Sequence, residues 1–183
     1  MLLIYSDITS SRLQYTCDFI FKEQFGIEYK ITINSEYFRN HDGAKINYSK
    51  SRMEDVYTIQ PQSLLFEQDI KKQTINCVDL NNYKAFFKTS DSDFPFDIFA
   101  AIFYLLSRYE EYLPHEKDMY GRFAHENSIA FKEGFLNKPV INIWLTDFSS
   151  SLKKIFPALT FKTKTFAFLP TYDIDIAYSF NHK

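Results

Sequence analysis

Residues 2–34 read LLIYSDITSSRLQYTCDFIFKEQFGIEYKITIN, and the reading of this stretch decides the fold. Leu2-Leu3-Ile4-Tyr5 is a short apolar run closed by Ser6-Asp7, the pattern of a buried strand. Ser10 or Ser11 is placed to cap a helix, because a short hydroxyl side chain accepts from the free N–H groups of the first turn. Leu13, Cys17, Ile20, Phe21 and Phe25 then recur at helical spacing, and Gly26 follows as a stop. Glu28 to Asn34 alternates, with Ile31 and Ile33 on one face, as a second strand does. A strand–helix–strand unit of this length closes as a parallel, right-handed crossover.

Working outward, Ala44 to Tyr48 follows the turn residues His41-Asp42-Gly43 and reads as a strand. Asp55 to Gln60 and Ser63 to Glu67 read as two more. Ile75 to Leu80 and Tyr83 to Phe87 form a further pair, joined by Asn81-Asn82, which tolerates a tight turn. Asp97 to Leu113 is apolar nearly all round in its first turns, as the central helix of a core is, and Pro114 ends it. His115 to Ser128 is a polar loop. Pro139 to Leu145 runs into a helix expected over about Thr146 to Phe156, with Thr146 or Asp147 as its cap. Thr165 to Pro170 has a strand pattern. The expected class is α/β, with a mixed, partly parallel sheet and helices on its faces.

Composition sets the bounds. The 183 residues are 45% hydrophobic, with 20 Phe and 13 Tyr, which is enough apolar surface for one cored domain. A formal net charge of -2 gives no electrostatic reason for a nucleic-acid partner. Cys17 and Cys77 share no metal-ligand or disulfide spacing, and Cys17 falls on the buried side of a helix. The first residues lack the basic, apolar order of a signal peptide, and the longest apolar stretch, around Ile98 to Leu106, is about half a membrane span. The expectation is a cytoplasmic chain without a membrane span.

Chemistry concentrates in Phe166-Ala167-Phe168-Leu169-Pro170-Thr171-Tyr172-Asp173-Ile174-Asp175. Two carboxylates two residues apart at the end of a strand point to one side. The carboxyl end of a parallel strand is where α/β enzymes hold their reacting groups. Such a pair divides labour between ligating a metal and serving as a base beside a metal-bound water. A lone Asp-x-Asp is otherwise a solvated strand end.

This segment resembles the first motif of the polysaccharide deacetylases, metal-dependent hydrolases built on a distorted (β/α) barrel. The resemblance implies Asp173 as general base and Asp175 as ligand of a divalent, zinc-like metal in a parent enzyme that removes acetyl groups from a polysaccharide. That family completes its metal site with two histidines at helical spacing. The chain has His41, His115, His125 and His182 and no His-x-x-x-His. The site is therefore expected to be incomplete, the barrel absent, and the chain by itself neither catalytic nor in need of a cofactor.

Phe94-Pro95-Phe96-Asp97-Ile98-Phe99-Ala100-Ala101, Leu106 to Tyr112, Gly121-Arg122-Phe123 and Pro139 to Trp144 resemble a domain of no assigned chemistry that precedes such barrels in bacterial proteins. The resemblance implies an accessory α/β module over residues 1–164, followed at 165–183 by the first strand and motif of a deacetylase-like domain acting in cis. Two other readings stand beside it: an independent small-molecule-binding α/β domain, and a protein-interaction module.

Other polar groups have structural readings. Arg108 to Glu111 reads as ion pairing on a helix surface. Gly121-Arg122-Phe123 reads as a turn whose arginine staples the loop to the helix carboxylates, with an anion-binding turn as the alternative. His115, Glu116, Asp118 and His125 lack metal-ligand spacing and read as a solvated loop.

Overall fold

A computed structural model of the chain describes residues 1–80, 83–162 and 165–173. It opens with β1 (Leu2–Ser6), α1 (Ser11–Cys17) running on as a π-helical segment (Asp18–Phe25), and β2 (Tyr29–Thr32). Ser10 caps α1, its Oγ accepting from Leu13 N at 3.0 Å. Gly26 closes the helix at φ 65, a left-handed conformation that costs glycine little. β1 and β2 pair in parallel, Ile4 opposite Ile31.

α2 (Ser35–Arg39) leads to β3 (Lys45–Tyr48), which pairs in parallel with the other edge of β1, and the short β4 (Tyr57–Thr58) adds beside β3. The sheet order is thus β2-β1-β3-β4. A small antiparallel hairpin of β5 (Val78–Leu80) and β6 (Tyr83–Ala85) lies apart from this sheet, with Val78 opposite Ala85. Residues 81 and 82, read as its turn, lie outside the described residues. Three helices complete the fold: α3 (Ile98–Leu106), α4 (Ile129–Lys132) and α5 (Val140–Ile155). The α/β class read from the sequence is the observed one.

Leu2, Leu3 and Ile4 are all fully buried, as central parallel strands covered on both faces must be. Leu2, Ile4, Ile46 and Tyr48 join the main core with α3 and α5. On the other face Tyr5 packs against Phe38 of α2, ring centroids 5.5 Å apart. Phe99 sits where the layers meet: its ring lies 4.9 Å from Tyr48, 6.0 Å from Phe21 and 6.0 Å from Phe148 of α5. Burying each such ring contributes roughly 1.5–3 kcal/mol relative to leaving it in water. Trp144 is fully buried between Phe86 and Phe96 and donates its ring N–H to Lys84 O at 2.9 Å, so its polar atom is satisfied.

Four sequence expectations are corrected. Ser63–Phe66 forms a 3-10 turn, not a strand. Leu64 and Leu65 are neighbours and both buried, and their carbonyls accept from Arg12 and from Ser10 Oγ at the start of α1 instead of from a ladder. α3 stops at Leu106, short of Leu113, because Arg108 adopts φ 52. That reversal turns Tyr109 into the core, where its hydroxyl donates to Lys71 O and accepts from Lys71 N. α5 begins at Val140, and neither Thr146 nor Asp147 caps it. Val140, Ile141 and Ile143 are β-branched, yet the helix takes them in, because Val140, Trp144, Phe148 and Leu152 form one buried helical stripe. Finally, residues 165–173 form no strand. A strand exists through its ladder, and neither edge of the four-stranded sheet takes this segment up. Phe166, Phe168 and Leu169 are 94%, 80% and 85% exposed.

Candidate functional site

The strand order β2-β1-β3-β4 fixes where a crevice must open. From β1 the chain travels outward to β2, then crosses back to β3 on the far side of β1. The loops leaving β1 and β3 at their carboxyl ends therefore run in opposite directions and leave a gap, the place where open parallel sheets bind ligands. A cavity of about 430 Å³ lies in that gap. The β1 loop contributes Ser6, Asp7 and Ile8, and the end of β3 contributes Tyr48 and Lys50. Pro61, Gln62, Ser63 and Phe66, from the 3-10 turn and the residues before it, close the remaining side.

Local hydrogen bonds tie these walls together. Ser6 is fully buried, and its hydroxyl donates to Ile8 O at 2.8 Å, pinning the loop that follows β1. The Tyr5 hydroxyl donates to Asp7 at 3.2 Å. Ser63 donates to Glu67 at 2.6 Å. Phe66 is half-buried, with its ring 6.0 Å from that of Tyr48.

Beneath the cavity lies Asp97, fully buried at the start of α3. One carboxylate oxygen accepts from Ala100 N at 3.0 Å and so caps the helix. The other accepts from the Tyr48 hydroxyl at 2.8 Å and from Gln62 N at 2.6 Å. Burial pushes its pKa up from 3.8 to about 6, while the N–H and O–H donors pull it back. Asp97 thereby ties β3, the Gln62 loop and α3 into one floor. The same burial, with the Asp97 charge beside it, raises the pKa of Tyr48 well above its usual value and holds it as a neutral donor.

Lys50 faces a second depression, of about 370 Å³, that adjoins the first and shares Pro61 and Gln62 with it. Lys88, Thr89 and Ser90 form its far wall. Among the described residues, neither the Lys50 nor the Lys88 ammonium has a hydrogen-bond or ion-pair partner.

A separate open depression of about 480 Å³ lies by α4, lined by Lys72, Tyr104, Glu110 and Lys132 among others. Its central carboxylate is structural, since Glu110 accepts from Ile129 N at 2.9 Å and fixes the start of α4. Burial raises the Glu110 pKa, against that donor and the Lys132 charge.

The residues singled out in the sequence lie elsewhere. Asp173 is exposed on the 165–173 segment, and Asp175 lies outside the described residues. Arg108 and Glu111 form an ion pair, as read. Arg122 pairs with Asp118 of its own loop at 3.2 Å, not with a helix carboxylate, and stacks over Tyr120 with 4.7 Å to the ring centre. His115 sits 2.8 Å from Leu113 O, and His125 lies 3.3 Å from Glu126. Among the described residues no group of three or more His, Cys, Asp or Glu side chains is placed to hold a metal. The same residues include no helix long and apolar enough to cross a membrane.

Sequence reasoning missed the cleft residues, although one signal was available. Asp97 opens the apolar helix α3, where a buried carboxylate is very costly unless hydrogen-bonded.

The model of a family of unknown function, DUF7033, matches residues 2–157. No curated protein matches. No solved structure matches either.

Proposed function

The chain belongs to the DUF7033 family, and from that premise we propose that it is a non-catalytic module that binds a small molecule in the cleft between β1 and β3. The observation that carries this reading is the coincidence of three features at one place. The strand order reverses there, a cavity large enough for a small ligand opens there, and its floor is held by a buried carboxylate network. The lining is mixed, with the apolar Ile8 and Phe66 beside the polar Asp7, Lys50, Gln62 and Ser63, as sites for polar small molecules are.

The test is amide chemical-shift mapping with a panel of sugars, acidic sugars, sugar phosphates and nucleotides. Binders should move the amides of Ser6 to Ile8, Tyr48 and Gln62 in the wild type. They should lose that effect in Ser63→Trp, which fills the mouth from an exposed position. Binders that map elsewhere, or that survive Ser63→Trp unchanged, reject the reading.

A second reading concerns the setting of the module. Phe166, Phe168, Leu169 and Tyr172 expose large apolar surfaces that the module does not cover. This supports residues 165–183 as the first strand and motif of a following deacetylase-like domain, with residues 1–164 as its accessory module. Asp173 and Asp175 would there serve as base and metal ligand, with a divalent metal and a polysaccharide substrate belonging to that domain. The reading frame past Lys183 tests it: a His-x-x-x-His on a following helix is expected, and a frame that carries none rejects it.

A further inference from the structure

We propose that the ligand of this cleft is a small organic anion. Its hydroxyl-bearing ring occupies the cavity between β1 and β3, and its carboxylate or phosphate reaches Lys50 and Lys88. The inference rests on the binding role proposed above and adds the chemical class of the ligand.

Charge placement carries the argument. Among the described residues Lys22 pairs with Asp18, and Lys84 pairs with Asp79 at 3.1 Å and Glu133 at 3.5 Å. Lys50 and Lys88 have no such partner among the described residues, and both line one depression. Two unpaired cations on a concave surface raise the local positive potential and draw in anions. A neighbouring group adds a donor of the right kind. Ser90 lines the same depression as Lys88 and is exposed, so its hydroxyl can donate to a phosphate or carboxylate oxygen, whereas the Thr89 hydroxyl donates to Phe94 O at 3.2 Å.

The two depressions share Lys50, Pro61 and Gln62, so one molecule can extend across both. Asp7 lines only the first. Its carboxylate repels an anionic group but accepts from hydroxyls, which sets the orientation: neutral ring toward Asp7, charge toward Lys88. Phe66 and Ile8 offer apolar surface to the ring, and Ile8 is 59% exposed beside the cavity.

The experiment titrates isotope-labelled protein with four probes: glucose 6-phosphate, glucuronate, glucose and inorganic phosphate. At least one of the two anionic sugars should move the amides of Asp7, Gln62 and Thr89. Which of them does so identifies phosphate or carboxylate as the anchored group. Lys50→Ala and Lys88→Ala should each weaken that binding about tenfold or more, the loss of one charge-assisted contact, while Lys50→Arg retains most of it. Both lysines are exposed, so these variants keep the fold. Glucose binding as tightly as its anionic relatives, or lysine variants without effect, overturns the anion but leaves the cleft as a binding site. Inorganic phosphate binding as tightly as glucose 6-phosphate means an adventitious ion only and also overturns it. If none of the four moves the cleft amides, the proposed class is wrong, and the broader panel then decides whether the cleft binds at all.

Discussion

The phenolic hydroxyl of Tyr48, at the carboxyl end of β3, donates to the carboxylate of Asp97, at the start of α3, across 2.8 Å in a fully buried site. The two residues are separated by 49 positions, and this bond fixes the sheet to the central helix directly under the cleft. Because Asp97 also accepts from Gln62 N and Ala100 N, one side chain sets the positions of the cleft's floor, its wall and the helix behind it.

Asp97→Ala should therefore destabilise the whole domain. It removes a helix cap worth about 1 kcal/mol and leaves the buried Tyr48 hydroxyl and Gln62 N–H without an acceptor, each costing about 1–3 kcal/mol. A loss of about 3 kcal/mol or more is expected in urea unfolding. Asp97→Asn should lose less, because its single amide oxygen can still accept from both Tyr48 and Gln62 N while only the Ala100 N–H of the cap is orphaned. Equal stability of the alanine variant and the wild type would remove the network from the account.

Asp97 also sets a pH dependence. Its folded pKa is raised from 3.8 to about 6, so between those values the folded state holds a proton that the unfolded state has released. Stability from this group is present below pH 3.8 and is lost as pH rises to about 6, with a flat contribution above. Other carboxylates titrate in the same range, so the informative quantity is the difference between wild type and Asp97→Asn. The variant should gain on the wild type as pH rises from about 4 to about 6. Unfolding curves at several pH values across that window measure it, and a constant difference contradicts the burial of the charge.

Arg122→Ala should lower the melting temperature slightly. The pair with Asp118 is confined to its own loop and the Arg122 side chain is 70% exposed, so the loss should stay below about 1 kcal/mol. Lost binding of a small anion with unchanged melting would instead make this turn a ligand site.

The chain alone should release no acetate from acetylated chitin oligomers or peptidoglycan, with or without added zinc. A catalytic zinc site needs about three protein ligands, and the motif supplies Asp175 alone for that purpose. Metal-dependent acetate release, abolished by chelation, would overturn this expectation.

Much of the architecture was legible in residues 2–34, because hydrophobic periodicity encodes both the element type and the face it buries. Ser10, Gly26, Ile4 and Ile31 each do in the structure what their local pattern implies. Local patterns failed where a distant contact outweighed them. Val140, Ile141 and Ile143 have strand propensity, yet Trp144 and Phe148 gain more by lying on one helical stripe against Phe86, Phe96 and Phe99. Arg108 leaves the helix because Tyr109 then reaches Lys71.

The sequence by itself determined a cored α/β module with a parallel strand–helix–strand start, since spacing of apolar residues and capping groups is local information. It also showed the acidic pair of residues 173 and 175, but not what would surround it. Only the tertiary structure decided that β3 crosses to the far side of β1, and hence that a cleft opens between them. Strand order depends on which edge of β1 buries more apolar surface, a comparison of contacts between residues as distant as Ile4, Ile46 and Phe99 that no window of sequence contains. Asp97 became the floor of that cleft for the same reason: its three donors come from β3, the Gln62 loop and α3, and only the folded chain brings them to one carboxylate.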